Sequence, residues 1–547
     1  MPSRNTTRLL LSHLHALLSN SHAVQVSFLL LSFLASCTSQ ATPAVFTATP
    51  PVASATPATD TAPPDPSLPS ETPSPPATLT PALGRAQYSL DLQLNYTART
   101  AAVDQTILYP NWTGETLTSL VLAVVPNLWS GGFSLQSITV DDIPITNFIL
   151  EPFSQRLEVQ LPQPIPPGAT AAITIRYSLV LPQMQAYLNA SNDVRPQIYG
   201  HSDLQVNFVD WYPMVVPYQP GQGWVLHNPW YYGEHLTYDL ADFDVTVTFT
   251  DGANPKVAAS GAEIDPQPYI PTRTPTAAVT ASVTNTPAPT STGIVSRRFT
   301  LEAGRTFALS MSDHFKVAQQ TVGDVTVFSY YFGLYDAPGE AMLQTTVEAM
   351  QTFSERFGPY RHKTLTAVQG DFNDGMEFSG LYFISRDYFN LYDGTPRNYL
   401  VAIAAHETAH QWWFDAVAND QALEPWLDEA LSTYSEVIYY ETIYPEVVEW
   451  WWNYRYFEFQ QAGFVDTPIY DGGGQRPYWD KVYLTGARFF RDLRAQVGDE
   501  IFFTFLRNYY SQAVGKQVTS ADFFRVFRET TAADITVLLV QYFKNTY

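Results

Sequence analysis

The most informative part of this 547-residue sequence reads His406-Glu407-Thr408-Ala409-His410. In a helix, the two histidines four positions apart project from one face, so both imidazoles can reach a single metal ion. Glu407 lies between them, and its carboxylate can act on a water at that ion without being a ligand itself. This stretch therefore predicts a helix that carries two metal ligands and a general base.

A second helix is predicted to start at Pro425, and it carries a third candidate ligand. Glu429 follows His410 after eighteen intervening residues, within Pro425-Trp426-Leu427-Asp428-Glu429-Ala430-Leu431. A following antiparallel helix can bring this carboxylate to the two imidazoles. Two His and one Glu form a ligand set of catalytic zinc, with a fourth position open for water. For the first helix, Thr395 is the predicted N-cap and Pro396 the predicted first residue.

These motifs resemble those of the gluzincin zinc peptidases, specifically the aminopeptidase N family, which includes leukotriene A hydrolase. Two further segments match that family: Gly375-Met376-Glu377 resembles its Gly-x-Met-Glu-Asn strand, and Tyr483-Leu484-Thr485-Gly486 resembles its Tyr-x-Lys-Gly segment. The resemblance implies that Glu377 binds the α-amine of the substrate, with Gly375 and Met376 beside it. It also implies that Tyr483 stabilises the tetrahedral intermediate and that Tyr478 matches a second active-site tyrosine.

The activity that the resemblance implies is that of a zinc aminopeptidase. His406, His410 and Glu429 would hold one Zn²⁺, Glu407 would act as the base, and peptides with a free N-terminus would be the substrates. Four positions depart from the family pattern, and none of them removes a metal ligand or the base. They are Phe378, which replaces Asn, Asp428 and Ala430, which replace Asn and Gly, and Thr485, which replaces Lys.

Two other functions remain open at this level. One is a zinc endopeptidase of the thermolysin type, and the other is a non-catalytic peptide-binding surface protein on a peptidase fold. Glu377 argues against the endopeptidase, because a carboxylate should not stand where a neutral substrate backbone has to pass. The intact ligand set and base argue against the non-catalytic protein.

The hydrophobic pattern predicts a multidomain chain, with an N-terminal all-β sandwich over 86–320 and a mainly helical domain over 325–547. The resemblance implies that the second domain is a thermolysin-like α+β zinc peptidase domain. Apolar residues alternate with polar ones in several segments of the first part, which predicts antiparallel sheets with one buried face. In the second part, Leu343, Val347, Met350 and Phe357 have helical spacing. Further helices are predicted from about Pro396, from Pro425 and through 486–511. The chain ends at Tyr547, so we expect it to lack the large C-terminal helical domain of many family members.

Charge and cysteine content exclude several classes of function. The chain has 29 Lys and Arg against 52 Asp and Glu, a formal net charge of −23. So acidic a chain is repelled by nucleic acid and by anionic lipid, so we expect neither as a partner. The single Cys excludes an internal disulfide, a cysteine-type zinc site and a cysteine-ligated iron–sulfur cluster. No motif indicates the oligomeric state.

The N-terminal segment has the features of a targeting signal. Arg4 and Arg8 precede an apolar run of about twelve residues, which is the size of a signal-peptide core. The run ends in Leu34-Ala35-Ser36-Cys37, which resembles the lipobox of bacterial lipoproteins. We therefore expect a signal peptide over 1–36, lipidation of Cys37, and a protein anchored by lipid alone to the membrane at the bacterial cell surface or elsewhere outside the cytoplasm. Pro/Thr-rich composition predicts a disordered tether over 38–84 and a disordered insertion at about 266–292.

Overall fold

A computed structural model describes residues 84–184, 198–264, 295–373, 375–456 and 463–547. The chain divides into two compact units, Met1–Thr78 and Leu79–Tyr547. The first unit lies outside the described residues, and with it the predicted signal peptide, Cys37 and most of the tether. The predicted insertion at about 266–292 lies outside them as well. The elements and contacts described all belong to the second unit.

Strands dominate residues 84–312, which we call the β-region, and a further five strands open the following helix-rich region. The strands run in the order β1 (Ala86–Asn95), β2 (Thr100–Pro110), β3 (Leu117–Ala123), β4 (Phe133–Val140), β5 (Ile143–Pro144), β6 (Phe148–Leu150), β7 (Arg156–Ile165), β8 (Thr170–Val180), β9 (Gly200–His201), β10 (Val206–Phe208), β11 (Met214–Val215), β12 (Tyr218–Gln219), β13 (Gly223–Trp224), β14 (Ala241–Phe249), β15 (Lys256–Ala259), β16 (Ala262–Ile264), β17 (Val295–Gly304), β18 (Leu309–Ser312), β19 (Phe315–Val322), β20 (Val325–Phe332), β21 (Thr364–Gly370), β22 (Met376–Phe378) and β23 (Leu381–Ser385).

The predicted alternation is present in the β-region, and one pairing differs from the prediction. In β1, Tyr88, Leu90, Leu92 and Leu94 are buried, as the period of two requires. The main sheet has the order β16-β17-β14-β1-β2-β8-β4-β5, and smaller sheets have the orders β15-β18-β10-β9 and β11-β3-β7-β6. β1 and β14 pair in parallel, so the expectation of antiparallel pairing throughout is wrong there. The long connection between these two strands lets β14 run in the same direction as β1. The description as a sandwich stays a prediction.

The helix-rich region begins with its own sheet, of order β19-β20-β21-β23-β22. β19 pairs with β20 as a hairpin, so this sheet begins at Phe315, before the boundary that the sequence placed at 320–325. β22 lies at the edge of the sheet, antiparallel to β23. One of its long sides is therefore open to the space between the sheet and the helices.

Helices cover this sheet and complete the region. They are α1 (Asp336–Arg356), α2 (Arg386–Asn390), α3 (Tyr399–Ala409), α4 (Trp426–Ile443), α5 (Val448–Trp450), α6 (Gln475–Trp479), α7 (Gly486–Val497), α8 (Asp499–Ala513), α9 (Ser520–Thr530) and α10 (Thr536–Tyr542).

Two helix predictions can be compared directly with the structure. The helix predicted from Leu343 to Phe357 is confirmed as α1. The helical structure predicted through 486–511 is present as two helices, because Gly498 takes φ +81° and separates α7 from α8. Within the described ranges, no helix combines the length and the apolar character needed to cross a membrane.

Candidate active site

The helix that carries the His-Glu-x-x-His motif starts later than its sequence suggested. α3 begins at Tyr399, and the side chain of Asn398 caps it by accepting the Leu400 N–H at 2.8 Å. Thr395 is not the cap, because its N–H and hydroxyl both donate to the Asp393 carboxylate, at 3.0 and 2.8 Å. The prediction of Thr395 as N-cap and Pro396 as first helical residue is therefore wrong.

The three predicted ligands lie together at the contact between α3 and α4. His406 Nε2 lies 3.1 Å from His410 Nε2 and 3.3 Å from Glu429 Oε2. His410 Nε2 lies 3.5 Å from the same carboxylate oxygen. Two ligands at tetrahedral positions about 2.1 Å from a zinc ion are about 3.4 Å apart, so this buried triangle has the dimensions of a zinc site. The donor set fits the metal that the sequence implied.

Groups behind the two imidazoles fix their orientation. Glu436 Oε1 lies 3.0 Å from His406 Nδ1, and Ser432 Oγ lies 3.2 Å from His410 Nδ1. Such partners hold a metal-ligating ring in position and in one tautomer. The sequence analysis missed Glu436, although it stands seven residues after Glu429 and hence on the same face of α4. That spacing is the signal that could have found it.

Ionic interactions keep the ligand and supporting carboxylates charged. Burial would raise the pKa of Glu429, but the neighbouring His410 and His406 outweigh it and hold that pKa below its ordinary value. Burial acts in the same direction on Glu436, and Arg455 together with His406 holds its pKa low as well. Both carboxylates are therefore available as anions.

Glu407 lies beside the triangle, in a space that depends on a glycine. A Cβ atom added to Gly375 would lie 2.1 Å from Glu407 Oε1. Gly375 precedes β22 and lines the same cavity as Glu407. The glycine of the Gly-Met-Glu segment thus leaves room for the carboxylate that the sequence identified as the base.

Glu377 points from β22 into this site, and Phe378 points away from it. The Glu377 carboxylate accepts a hydrogen bond from Gln421 Nε2 at 3.0 Å. One of its oxygens, a carboxylate oxygen of Glu407 and a ring nitrogen of His410 all lie within 4.8 Å of one another. The Phe378 ring is buried in the core of the β-region, edge-on to Phe383 at 6.0 Å. Because neighbours in a strand face opposite sides, the departure at Phe378 leaves the carboxylate at 377 in place.

Tyr483 lies over the metal-ligand triangle, in a π-helical turn over Asp480–Thr485. Its ring is parallel to that of His406, with 6.0 Å between centroids. Burial, followed by the charges of Glu429 and Glu234, raises the pKa of the Tyr483 phenol well above its ordinary value. The hydroxyl therefore keeps its proton and can donate it to a hydrogen bond.

Two predicted residues do not line the main cavity. Tyr478 is fully buried behind Tyr483, with ring centroids 5.8 Å apart, and it also packs on Tyr232 at 5.3 Å. Met376 is half-buried against the core of the β-region and borders a smaller adjoining cavity. Their roles in substrate binding stay predictions.

The remaining departures from the family pattern are accommodated by local packing. A Cβ added to Gly486 would lie 2.3 Å from that of Ala430, so these two small residues let α4 and α7 approach closely. The Thr485 hydroxyl donates to Asp480 O at 2.8 Å within the π-helical turn. Asp428 is buried and accepts the Glu429 N–H at 2.7 Å. None of these contacts displaces a metal ligand.

The triangle opens into a cavity of about 380 Å³. Glu234, which the sequence analysis missed, joins Glu377 on its wall. It comes from the connection between β13 and β14, where no periodic pattern marks a functional residue. Arg455 and Arg476 also line the cavity. The site therefore combines the predicted metal ligands, the carboxylate predicted as the base, a phenol that can donate a hydrogen bond, and separate anionic and cationic wall groups.

Comparison with known proteins supports this description. Residues 341–542 match the family model described as Peptidase family M1 domain. Aminopeptidase N of Streptomyces lividans is 25% identical over 214 residues, which cover 36% of this chain and 25% of that protein. Aminopeptidase 2 of Candida albicans is 22% identical over 229 residues, covering 38% of this chain and 24% of that protein. The chain thus spans about a quarter of the length of the curated relatives it matches.

Solved structures show the same fold over most of the chain. The M1 zinc metallopeptidase of Deinococcus radiodurans gives a TM-score of 0.58 at 18% identity, covering 85% of this chain and 95% of that chain. A mutant of that protein bound to a Tyr-Ser-Ala substrate gives a TM-score of 0.57 at 17% identity with the same coverage. The family and these neighbours imply one catalytic zinc ion. Residues 341–542 are therefore similar to the Peptidase family M1 domain, and the chain shares the fold of the M1 zinc metallopeptidase structures.

Proposed function

We propose that this protein is a zinc-dependent aminopeptidase that removes the N-terminal residue of peptides. The observation that carries the proposal is the position of Glu377. Its buried carboxylate lies within 4.8 Å of Glu407 and His410, directly beside the metal-ligand triangle. An ammonium bound there leaves room for only the first peptide bond at the metal.

The charge of the site supports recognition of an ammonium group. Glu234 and Glu377 border the same space, and Gln421 holds the Glu377 carboxylate through a hydrogen bond of 3.0 Å. An ammonium and a carboxylate attract each other more strongly in a buried site of low dielectric constant than at a surface in water. A neutral, acetylated N-terminus would leave these carboxylates without a counter-charge, so discrimination between the two termini is expected.

The chemistry divides among three side chains. When bound, a zinc ion at such ligands lowers the pKa of its water to about 7 and polarises a carbonyl group. Glu407 takes the proton of the attacking water and delivers it to the leaving amine. Tyr483 donates a hydrogen bond to the carbonyl oxygen as negative charge develops on it, which stabilises mainly the transition state. Glu377 holds the ammonium and so fixes the register of the substrate.

Two substitutions test the division of roles. Glu407→Gln should retain zinc and lose turnover, since the ligands remain and the base is gone. Glu377→Gln should retain zinc and turnover but lose most of the preference for a free over an acetylated N-terminus. Metal content and kcat/KM on the two substrates are the measurements. Unchanged discrimination in Glu377→Gln would remove the basis of the proposal and leave an endopeptidase as the better account.

We also propose that the protein works outside the cytoplasm, held to a membrane by a lipid on Cys37. The support is the sequence alone, in the apolar run that ends in Leu34-Ala35-Ser36-Cys37. Expression of the full chain in bacteria, with and without Cys37→Ser, tests it. Membrane-associated, lipid-labelled protein that becomes soluble on substitution is the expected result, and equal fractionation of both forms would contradict it.

A further inference from the structure

The cavity extends along α3, so residues of this helix identify its two ends. Along this helix lie Tyr399, Ile403, His406 and His410, in order and about one turn apart. All four line the cavity, and Glu377 groups with His410 at the C-terminal end. A substrate whose ammonium is held by Glu377 therefore extends its leaving part towards Ile403 and Tyr399. The cavity wall at that end contacts the residues on the C-terminal side of the scissile bond.

Arg455 lies at that end. Its guanidinium lies over the Tyr399 ring, 5.8 Å from the centroid, and it borders the cavity. Nε and Nη2 donate to the Glu436 carboxylate at 2.6 and 2.7 Å, which orients the group. In the described part of the chain, no acceptor is paired with Nη1. A guanidinium with one edge fixed and the other free is well suited to bind a carboxylate.

The distance from Arg455 to the metal-ligand triangle limits the length of the ligand. Glu436 Oε1 is 3.0 Å from His406 Nδ1 and 2.7 Å from Arg455 Nη2. Two hydrogen bonds in sequence span at most about 6 Å, so Arg455 Nη2 lies within about 6 Å of His406 Nδ1, and His406 Nε2 in the triangle lies about 2 Å farther across the ring. An extended residue spans about 3.5 Å, so one or two residues beyond the scissile bond bring a terminal carboxylate to this guanidinium.

We propose that Arg455 binds the C-terminal carboxylate of the substrate, and that the preferred substrates are dipeptides and tripeptides with both termini free. The inference rests on the proposed aminopeptidase function and names its substrate class. Glu377 fixes one terminus and Arg455 the other, with the metal-ligand triangle between them. Longer peptides would have to place a neutral amide where the carboxylate binds.

The test compares a tripeptide with its C-terminal amide, both with a free N-terminus, on the zinc-loaded protein. A charge-assisted hydrogen bond contributes enough for a ten- to hundred-fold difference in kcat/KM, and we expect the acid to be favoured by about that factor, mainly through KM. Arg455→Gln should bring the ratio of the two kcat/KM values, acid over amide, close to one. Arg455→Lys, which keeps a cation, should restore part of it.

Arg476 provides the matched control. It lines the same cavity but pairs with Asp480 at 2.8 Å near the surface. Arg476→Gln should leave the ratio of acid to amide unchanged. If it abolishes the ratio while Arg455→Gln does not, or if Arg455→Gln slows both substrates equally, Arg455 has only a structural role and the proposal is wrong.

A binding measurement separates this inference from the proposed function. Calorimetry on zinc-loaded Glu407→Gln protein gives affinities for the tripeptide acid and amide without turnover. Tighter binding of the acid that Arg455→Gln removes supports the carboxylate site even if no peptide is cleaved, in which case only the aminopeptidase proposal fails. Equal affinities for both peptides would overturn the carboxylate site whether or not peptides are hydrolysed.

Discussion

At the residue scale, the site depends on one glycine as much as on its charged groups. The atom that alanine adds at 375 would lie 2.1 Å from Glu407 Oε1 and 3.2 Å from Ile403 Cγ2. Real Cβ atoms do not approach an oxygen so closely, so the base would have to move. The geometry therefore gives Gly375 a steric role that the sequence pattern alone does not explain.

Gly375→Ala should lower kcat by about 10²-fold or more, since a positioned general base contributes 10²- to 10⁴-fold. Zinc content should not change, because no metal ligand is touched. Gly333→Ala is the control, since its added Cβ would meet only Lys316 at 3.7 Å. Kinetics and metal analysis of both variants check this. Full activity in Gly375→Ala would show that the base does not need the position seen here.

The hydroxyl of Tyr483 should matter in the transition state rather than in binding. Tyr483→Phe should lower kcat by about 10²-fold with little change in KM, as for loss of an oxyanion donor. Tyr218→Phe serves as the control, because the Tyr218 hydroxyl donates to Glu115 in the β-region and does not line the cavity. A raised KM at unchanged kcat in Tyr483→Phe would assign it to substrate binding instead.

At the element scale, α4 carries both a metal ligand and the groups that orient the other two. Glu429, Ser432 and Glu436 lie on one face at intervals of three and four residues. The sequence predicted the first of these, because its spacing from His410 is distinctive. It missed Glu436, because one more acid among 52 Asp and Glu residues is not distinctive without its contacts.

Glu436→Gln should weaken zinc binding by about 10- to 100-fold, the usual effect of removing a partner of a metal-ligating His. The measurement is the zinc dissociation constant from competition with a chelator, which needs no substrate. Glu441→Gln is the matched control on the same helix, since Glu441 pairs with Arg494 at the surface. Equal zinc affinity in the two variants would contradict an orienting role for Glu436.

Elements positioned by loops could not be predicted in the same way. Glu234 and Arg455 reach the cavity, and Gln421 reaches Glu377, from connections or short helical turns, where neither a period of two nor one of 3.6 marks them. The break between α7 and α8 could not be predicted for a similar reason, since Gly498 takes a left-handed conformation that the surrounding apolar pattern does not reveal.

At the scale of the whole molecule, the β-region is joined to the helix-rich region by a buried arginine. Arg305 follows β17, and its guanidinium donates to Asp415 O at 2.8 Å, Tyr238 O at 2.9 Å and Lys516 O at 3.0 Å. The order of the two regions followed from the change of hydrophobic period. The sequence did not predict the contact of Arg305 with Lys516, 211 positions away, because no local pattern encodes such a contact.

Asp415 should make stability depend on acid pH. Burial would raise its pKa, but His362, 2.7 Å away, and Arg361 lower it to about 2. A carboxyl whose pKa is lower in the folded state stabilises the protein above its ordinary pKa, and this contribution is lost as pH falls towards 2. The shift corresponds to about 2 kcal/mol in the free energy of unfolding.

Chemical unfolding of Asp415→Asn and the parent protein between pH 6 and pH 3 measures this contribution. The parent should be more stable by about 2 kcal/mol at pH 6, and the gap should narrow as pH falls below 4. Asp324→Asn, at an exposed position, should match the parent throughout. A difference in the free energy of unfolding that does not change with pH would mean that the charge of Asp415 contributes nothing and that only its packing matters.

The most direct test of the central claim is the product pattern from one short peptide and its N-acetylated twin, each with and without a zinc chelator. Mass spectrometry of the reaction with the purified protein identifies the bond that is cut. The account predicts that only the free peptide is cleaved, that its first residue is released, and that the chelator stops the reaction. Cleavage of both peptides at internal bonds would contradict it.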